Sequence, residues 1–128
     1  MVKKVIFPCS MPGGLAAPFS MYFGRSEAFT MVTLKNKDIV LVEVTQNFSG
    51  RTRGGTGVYA ANAVNDMNPT DLVLGNIGPN AFKSLNSSEF RVFELGKHAS
   101  FTVKEVLDEF LAGNVKILEK SNAIPHPE

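Results

Sequence analysis

One cysteine, Cys9, is all the thiol the sequence holds. No internal disulfide can form, so the fold must rest on a packed core, and a free thiol fits the reducing cytoplasm. An excess of either charge is missing as well. Against 13 basic residues stand 12 acidic ones, which excludes the broad basic surface that nucleic acid or an anionic membrane requires. Any attraction for anions must therefore be local. Long apolar runs are absent, and nothing approaches the roughly 20 residues of a membrane-spanning helix. The start Lys3-Lys4-Val5-Ile6-Phe7 is cut by Pro8 and is not read as a signal peptide. Internal repeats and linkers are missing too. The chain has 128 residues, enough to bury a core without staples. We read residues 1–120 as one domain and 121–128 as a flexible tail.

What is present is glycine at corners. Gly75-Asn76-Ile77-Gly78-Pro79-Asn80-Ala81-Phe82 follows the apolar run Asp71 to Leu74 and precedes a helical pattern, which makes it a strand-to-helix corner. Gly78 can adopt backbone angles that other residues avoid, and Pro79 suits the first helical position. An earlier corner, Gly50-Arg51-Thr52-Arg53-Gly54-Gly55-Thr56-Gly57, also opens a helix. The first amides of each helix lack internal partners. Two such starts on one sheet predict a shared pocket that favours anions. Asn76 and Asn80 are expected to bond backbone groups of their own corner.

Around these corners the period changes mark the elements. Val2 to Phe7 reads as a strand buried on both faces, and Cys9 to Ser20 as a loop. Ala28 to Leu34 and Ile39 to Thr45 form a hairpin through Lys35-Asn36-Lys37-Asp38, with Val40, Val42 and Val44 alternating on one half-buried face. Ala60, Ala63, Val64 and Met67 fall at helical spacing, with Asn62, Asn65 and Asp66 on the wet side. Asp71 to Asn76 is a strand, Pro79 to about Leu85 a short helix, and Arg91 to Leu95 the last strand. Thr102 and Glu105 make a capping box for a helix with the stripe Val103, Val106, Leu107, Phe110 and Leu111, ended by Gly113. The predicted architecture is α/β, a mixed five-stranded sheet flanked by helices that start near Thr56, Pro79 and Val103.

Phe23-Gly24-Arg25 after a proline-containing loop, Arg53-Gly54-Gly55-Thr56-Gly57, and Gly75 to Phe82 stand in this order and spacing. Together they resemble the dinitrogenase iron–molybdenum cofactor biosynthesis family, small domains with a ribonuclease H-like fold. The resemblance covers Val2 to about Leu118. It implies a cytoplasmic, non-enzymatic carrier of an iron–sulfur or iron–molybdenum–sulfur cluster or precursor, with cofactor-assembly proteins as partners. It also implies a pocket between the Phe-Gly-Arg loop and the two glycine corners. Carried onto this chain, the binding positions are Tyr22, Gly24, Arg25, Arg51, Arg53, Gly54, Gly55, Asn76, Gly78 and Asn80.

This chain departs from the family's pattern at telling places. The family usually has histidine before Phe-Gly-Arg, where this sequence has Tyr22, and often histidine in the glycine-rich loop, where Arg51 and Arg53 stand. Imidazole ligates metals and guanidinium does not, so charge is expected to dominate over coordination. Arg25, Arg51 and Arg53 could grip an anion through forked donors, although a single loop arginine is as often simply solvated. Cys9 is the candidate metal ligand, against the commoner role of a lone cysteine as a small buried hydrophobe. Met11 and Met21 are read as packing residues.

Other chemistries find no support. Gly55-Thr56-Gly57-Val58-Tyr59-Ala60 follows a hairpin rather than a first strand, so its likeness to a dinucleotide fingerprint is coincidental. No lysine precedes Thr56 as a phosphate-binding loop would need. The strand Val2 to Phe7 has no carboxylate for a metal-dependent nuclease. His98 and His126 lie far from the motifs. The alternative readings are a metal-free binding or regulatory module for a small phosphorylated or carboxylated ligand, or a protein-interaction domain.

Overall fold

The computed structural model describes residues 1–47, 56–96 and 100–122. Its strands are β1 (Val2–Cys9), β2 (Ala28–Lys35), β3 (Asp38–Gln46), β4 (Asp71–Leu74), β5 (Arg91–Glu94) and β6 (Lys116–Ile117). Its helices are α1 (Thr56–Asp66), α2 (Pro79–Ser84) and α3 (Val103–Leu111), and a single 3₁₀ turn covers Phe23–Arg25. The strands form one mixed sheet in the order β3-β2-β1-β4-β5-β6. β1 pairs antiparallel with β2 and parallel with β4, which in turn lies parallel to β5.

The five strands predicted are thus six. The sixth is only two residues long, pairing Ile117 with Phe93 and Lys116 with Glu94, too short for any period to show in the sequence. β3 also departs from expectation. It forms the sheet's outer edge, and Val40 and Val44 are 57% and 42% exposed instead of half-buried, because no described helix packs on that edge. The turn before it, Asn36 and Lys37 with φ of 52° and 74°, has the primed geometry that matches strand twist.

Alternation along β1 divides the core. Ile6 faces the side packed by Ala60, Ala61 and Val64 of α1 and Ala81 of α2, while Val5, Phe7 and Cys9 face Val103, Val106 and Leu107 of α3. α3 begins as expected: Thr102 Oγ1 accepts from Glu105 N at 3.2 Å, and Thr102 N donates to Glu105 Oε1 at 2.8 Å. Gly113, at φ +77°, ends the segment. Asn65, expected on the wet face of α1, ties two helices together instead. Its Nδ2 donates to Ser84 O at 2.7 Å and its Oδ1 accepts from Asn86 N at 2.9 Å. No described helix is long and apolar enough to cross a membrane.

Cys9 is fully buried in the α3-side core, its Sγ 3.2 Å from Thr30 Oγ1 and 3.6 Å from Ala28 O. Burial pushes its thiol above the ordinary value of 9.0, the hydrogen bond with Thr30 opposes the rise, and Glu27 adds to it. A thiol that keeps its proton longer in the folded state than in the unfolded one contributes stability below the ordinary value and loses it as pH rises. The stability difference between wild type and Cys9→Ala in urea is therefore expected to shrink above pH 9.0. A difference that stays constant to about pH 10.5 would contradict this. Loss of the α3 cap in Thr102→Ala is expected to lower unfolding free energy by about 1 kcal/mol, read from the same urea transitions at neutral pH.

Candidate functional site

β4 runs out at Leu74, and the chain turns through Gly75 beneath the loop that carries Tyr22. Asn76 N donates to Met21 O at 2.6 Å, Phe23 N donates to Asn76 O at 3.0 Å, and Tyr22 and Asn76 form a parallel bridge. The approach is close enough that a Cβ on Gly75 would sit 2.6 Å from Met21 O. Glycine is required here by contact rather than by backbone angle. The Phe23–Arg25 turn is anchored by Phe23, which is buried against Phe29 with ring centroids 5.6 Å apart. Ser26 Oγ donates to Phe23 O at 2.9 Å and closes the turn.

From the corner the chain enters α2 through Pro79. Gly78 occupies the cap position at φ −76° and ψ 167°, with no side-chain cap for the first amides. Its backbone is ordinary extended chain, so the special angles expected of Gly78 are not used. A Cβ there would meet nothing within 4 Å, which leaves the helix start open. α1 begins beside it, for a Cβ on Gly57 would lie only 2.7 Å from the Ala81 Cβ. The two helix starts predicted to share a pocket do converge.

Between them and the Phe23–Arg25 turn lies a cavity of about 360 Å³, lined by Tyr22, Gly24, Arg25, Asn76, Gly78 and Asn80 and walled by Gly57 and Val58 at the start of α1. Six of the sequence-predicted positions thus meet in one place. Arg51, Arg53, Gly54 and Gly55 lie outside the described residues. Among the described residues no carboxylate lines the cavity, and Arg25 brings a cation to it. Cys9 does not line it. Its burial, which raises the thiol pKa, works against the thiolate that metal ligation requires. Among the described residues no three His, Cys, Asp or Glu side chains gather into a metal-holding group.

The asparagines reverse their expected roles. Asn76 and Asn80 were expected to bond the backbone of their own corner. Among the described residues no side-chain hydrogen bond ties either amide down, and both line the cavity. The corner is held instead by Asn122, whose Oδ1 accepts from Ile77 N at 2.8 Å and whose Nδ2 donates to Gly75 O at 2.8 Å and Glu94 Oε2 at 2.7 Å. Asn122 lies in the stretch read as a flexible tail, and no local pattern could have singled it out, since its partners are 28 to 47 residues away.

Comparison with known proteins agrees with this geometry. The chain is 27% identical over 100 residues to "Uncharacterized protein MJ0580" of Methanocaldococcus jannaschii, spanning 78% of this chain and 82% of that one. Its fold is similar to that of the apo orange protein from Desulfovibrio gigas, with a TM-score of 0.81 at 24% identity over 94% of this chain and 97% of the other. It is also similar to TM1290 from Thermotoga, described as a candidate NifB protein, with a TM-score of 0.72 at 25% identity and coverage of 94% and 97%. Residues 3–113 match the model of the family described as dinitrogenase iron-molybdenum cofactor. The same residues carry the Phe-Gly-Arg turn, the start of α1 and the Gly75 corner. The chain belongs to the dinitrogenase iron–molybdenum cofactor family.

Proposed function

We propose that this protein is a non-enzymatic carrier with a ribonuclease H-like fold. Its cargo is an anionic iron–sulfur or iron–molybdenum–sulfur cluster, or a precursor of one, held in the cavity between Tyr22 and Asn80. The observation that carries this reading is the lining itself: one guanidinium, two side-chain amides without protein partners among the described residues, an uncapped helix start, and no carboxylate. Such donors suit the sulfide face of an anionic cluster, which accepts hydrogen bonds and attracts cations. They offer the metal no ligand, so the cargo is gripped from outside its coordination sphere. The reading places the protein in the cytoplasm, exchanging cargo with cofactor-assembly proteins and engaging neither nucleic acid nor membrane.

A second reading, a metal-free module for a small phosphorylated or carboxylated ligand, is favoured by one observation. The described lining contains no cysteine and no histidine. Anaerobic reconstitution with iron, molybdate and sulfide, followed by metal and sulfide analysis of the desalted protein, separates the two. The cluster reading expects uptake, and an uncharged apo protein that binds inorganic phosphate would favour the second reading.

Two further outcomes test how the ligand is held. Arg25→Ala is expected to reduce uptake several-fold at about 0.05 M salt and much less at about 0.5 M, where charges are screened within a few ångströms. Cys9→Ser, its fold confirmed, should bind as wild type does. Abolished uptake in Cys9→Ser with normal uptake in Arg25→Ala would show coordination by the thiolate instead. The corner's two glycines should also part company. Gly75→Ala forces its Cβ on the Met21 carbonyl and is expected to cost about 1–3 kcal/mol of stability. Gly78→Ser has room and supplies a preferred helix cap, so melting should stay unchanged or rise. Its hydroxyl then occupies the amides offered to the anion, and uptake should fall.

A further inference from the structure

The opposite end of the sheet carries a second cavity that the family's site does not involve. α3 is the helix packed on the Val5–Phe7 face, and its nine residues reach about 13 Å at 1.5 Å per residue. The eight residues of β1 extend about 26 Å beneath it. Past the C-terminus of α3 the sheet is left uncovered, and a cavity of about 330 Å³ opens there. Leu34, Phe93, Phe110 and Val115 supply apolar walls, and Phe93 and Phe110 meet edge to face at 5.5 Å.

The rim of this cavity has the opposite character. Lys3, Lys37 and Arg91 line it, and no carboxylate among the described residues does. Two of the cations already lie over its aromatic rings: Lys3 Nζ is 5.5 Å from the Phe110 centroid, and the Arg91 guanidinium carbon is 5.3 Å from that of Phe93. Asp71 engages Arg91 from below through Nε at 3.1 Å and Nη2 at 3.0 Å. That carboxylate is buried at 1% exposure while the Arg91 side chain remains 54% exposed, which leaves the outer edge of the guanidinium toward solvent. The lysines are not spent on the end of α3 either. Backbone amides of Ala112, Gly113 and Asn114 already bond the carbonyls of Asp108, Phe110 and Glu109.

Lys3, Lys37 and the outer edge of Arg91 leave positive charge at the rim that the one Asp71 carboxylate does not cancel, and that charge attracts a further anion. A ligand that satisfies both parts has an apolar body and a single negative head. We propose that this cavity is a binding site for a small amphiphilic carboxylate, with an aromatic or short aliphatic body against Phe93 and Phe110 and its carboxylate between Lys3, Lys37 and Arg91. The volume is within the range of small-molecule pockets, about 300–1,000 Å³, and the mix of apolar walls with a few convergent polar groups is theirs too. The site is at the start of β1 and β5, whereas the Gly75 corner is at the end of β4, so the two ligands do not compete for space.

The test uses 3-phenylpropionate and its uncharged amide as probes, followed by amide-proton correlation spectra of the whole protein. Saturable shifts are expected at Lys3, Leu34, Arg91, Phe93 and Phe110, with Gly75 to Ala81 unmoved. The double variant Lys3→Gln, Lys37→Gln removes charge at one half-buried and one exposed position while keeping a side chain of similar length, and should keep the wild-type spectrum away from the cavity. It is expected to bind the carboxylate about tenfold more weakly, the sum of two modest surface charge contacts. The amide should bind wild type about as weakly as the carboxylate binds the variant. Equal affinity for carboxylate and amide, equal affinity of wild type and variant, or shifts spread over the surface or centred on the Gly75 corner would each overturn the proposal.

Discussion

The close passage of Gly75 under the Met21 carbonyl is the contact on which the site depends. Two backbone hydrogen bonds, Asn76 N to Met21 O and Phe23 N to Asn76 O, cross there, at an approach so close that a Cβ on Gly75 would lie 2.6 Å from Met21 O. Through Phe23 the contact reaches the ring of Phe29 on β2, and through Asn122 it reaches Glu94 at the end of β5. The cavity's shape is therefore set by backbone and by buried groups. Its lining side chains, Tyr22, Arg25, Asn76 and Asn80, are released from structural duty and can face a ligand.

A near-zero net charge conceals how the charge is arranged. The chain totals +1, yet of two cavities at opposite ends of the sheet one is lined by Arg25 and the other by Lys3, Lys37 and Arg91, with no carboxylate among the described residues of either. The asymmetry of the helices explains why both exist. α1 and α2 crowd one face, close enough for Gly57 to touch Ala81, and their joined starts open one cavity at the strand ends. α3 covers the other face with a single short span and leaves the second. Neither feature follows from composition, because composition averages over position.

Much of the fold was legible because its signals are local. The apolar run of β1, the Thr102–Glu105 box, Pro79 at a helix start and the stripe from Val103 to Leu111 are read within a few residues, and each marks an element where the sequence predicts one. The failures share a different cause. β6 exists only through its pairing with β5, the exposure of β3 only through its place at the sheet's edge, and the clasp of Asn122 only through partners far along the chain. Asn76 and Asn80 show the same limit within the site. Their turn chemistry is genuine in general, but Asn122 took that work over, and a residue that far off leaves no mark on the local pattern. The described residues of the family motifs border one cavity, and the motifs say less about what each residue does there.

The missing histidine before Phe-Gly-Arg then acquires a physical meaning on the carrier reading. Tyr22 stands at that position with 63% of its surface exposed, and its phenol contributes a hydrogen bond where imidazole would contribute a metal bond. A cluster held by coordination leaves only when a ligand exchanges, whereas one held by a guanidinium, two amides and a helix start leaves when those weaker contacts break. Charge-assisted hydrogen bonds in a partly open cavity exchange readily with water and with competing anions. Protection and release pull in opposite directions for any carrier. Outer-sphere holding favours release, since a receiving protein that offers thiolate or imidazole ligands gains bonds this cavity never made, and the transfer runs downhill without a ligand here having to be displaced.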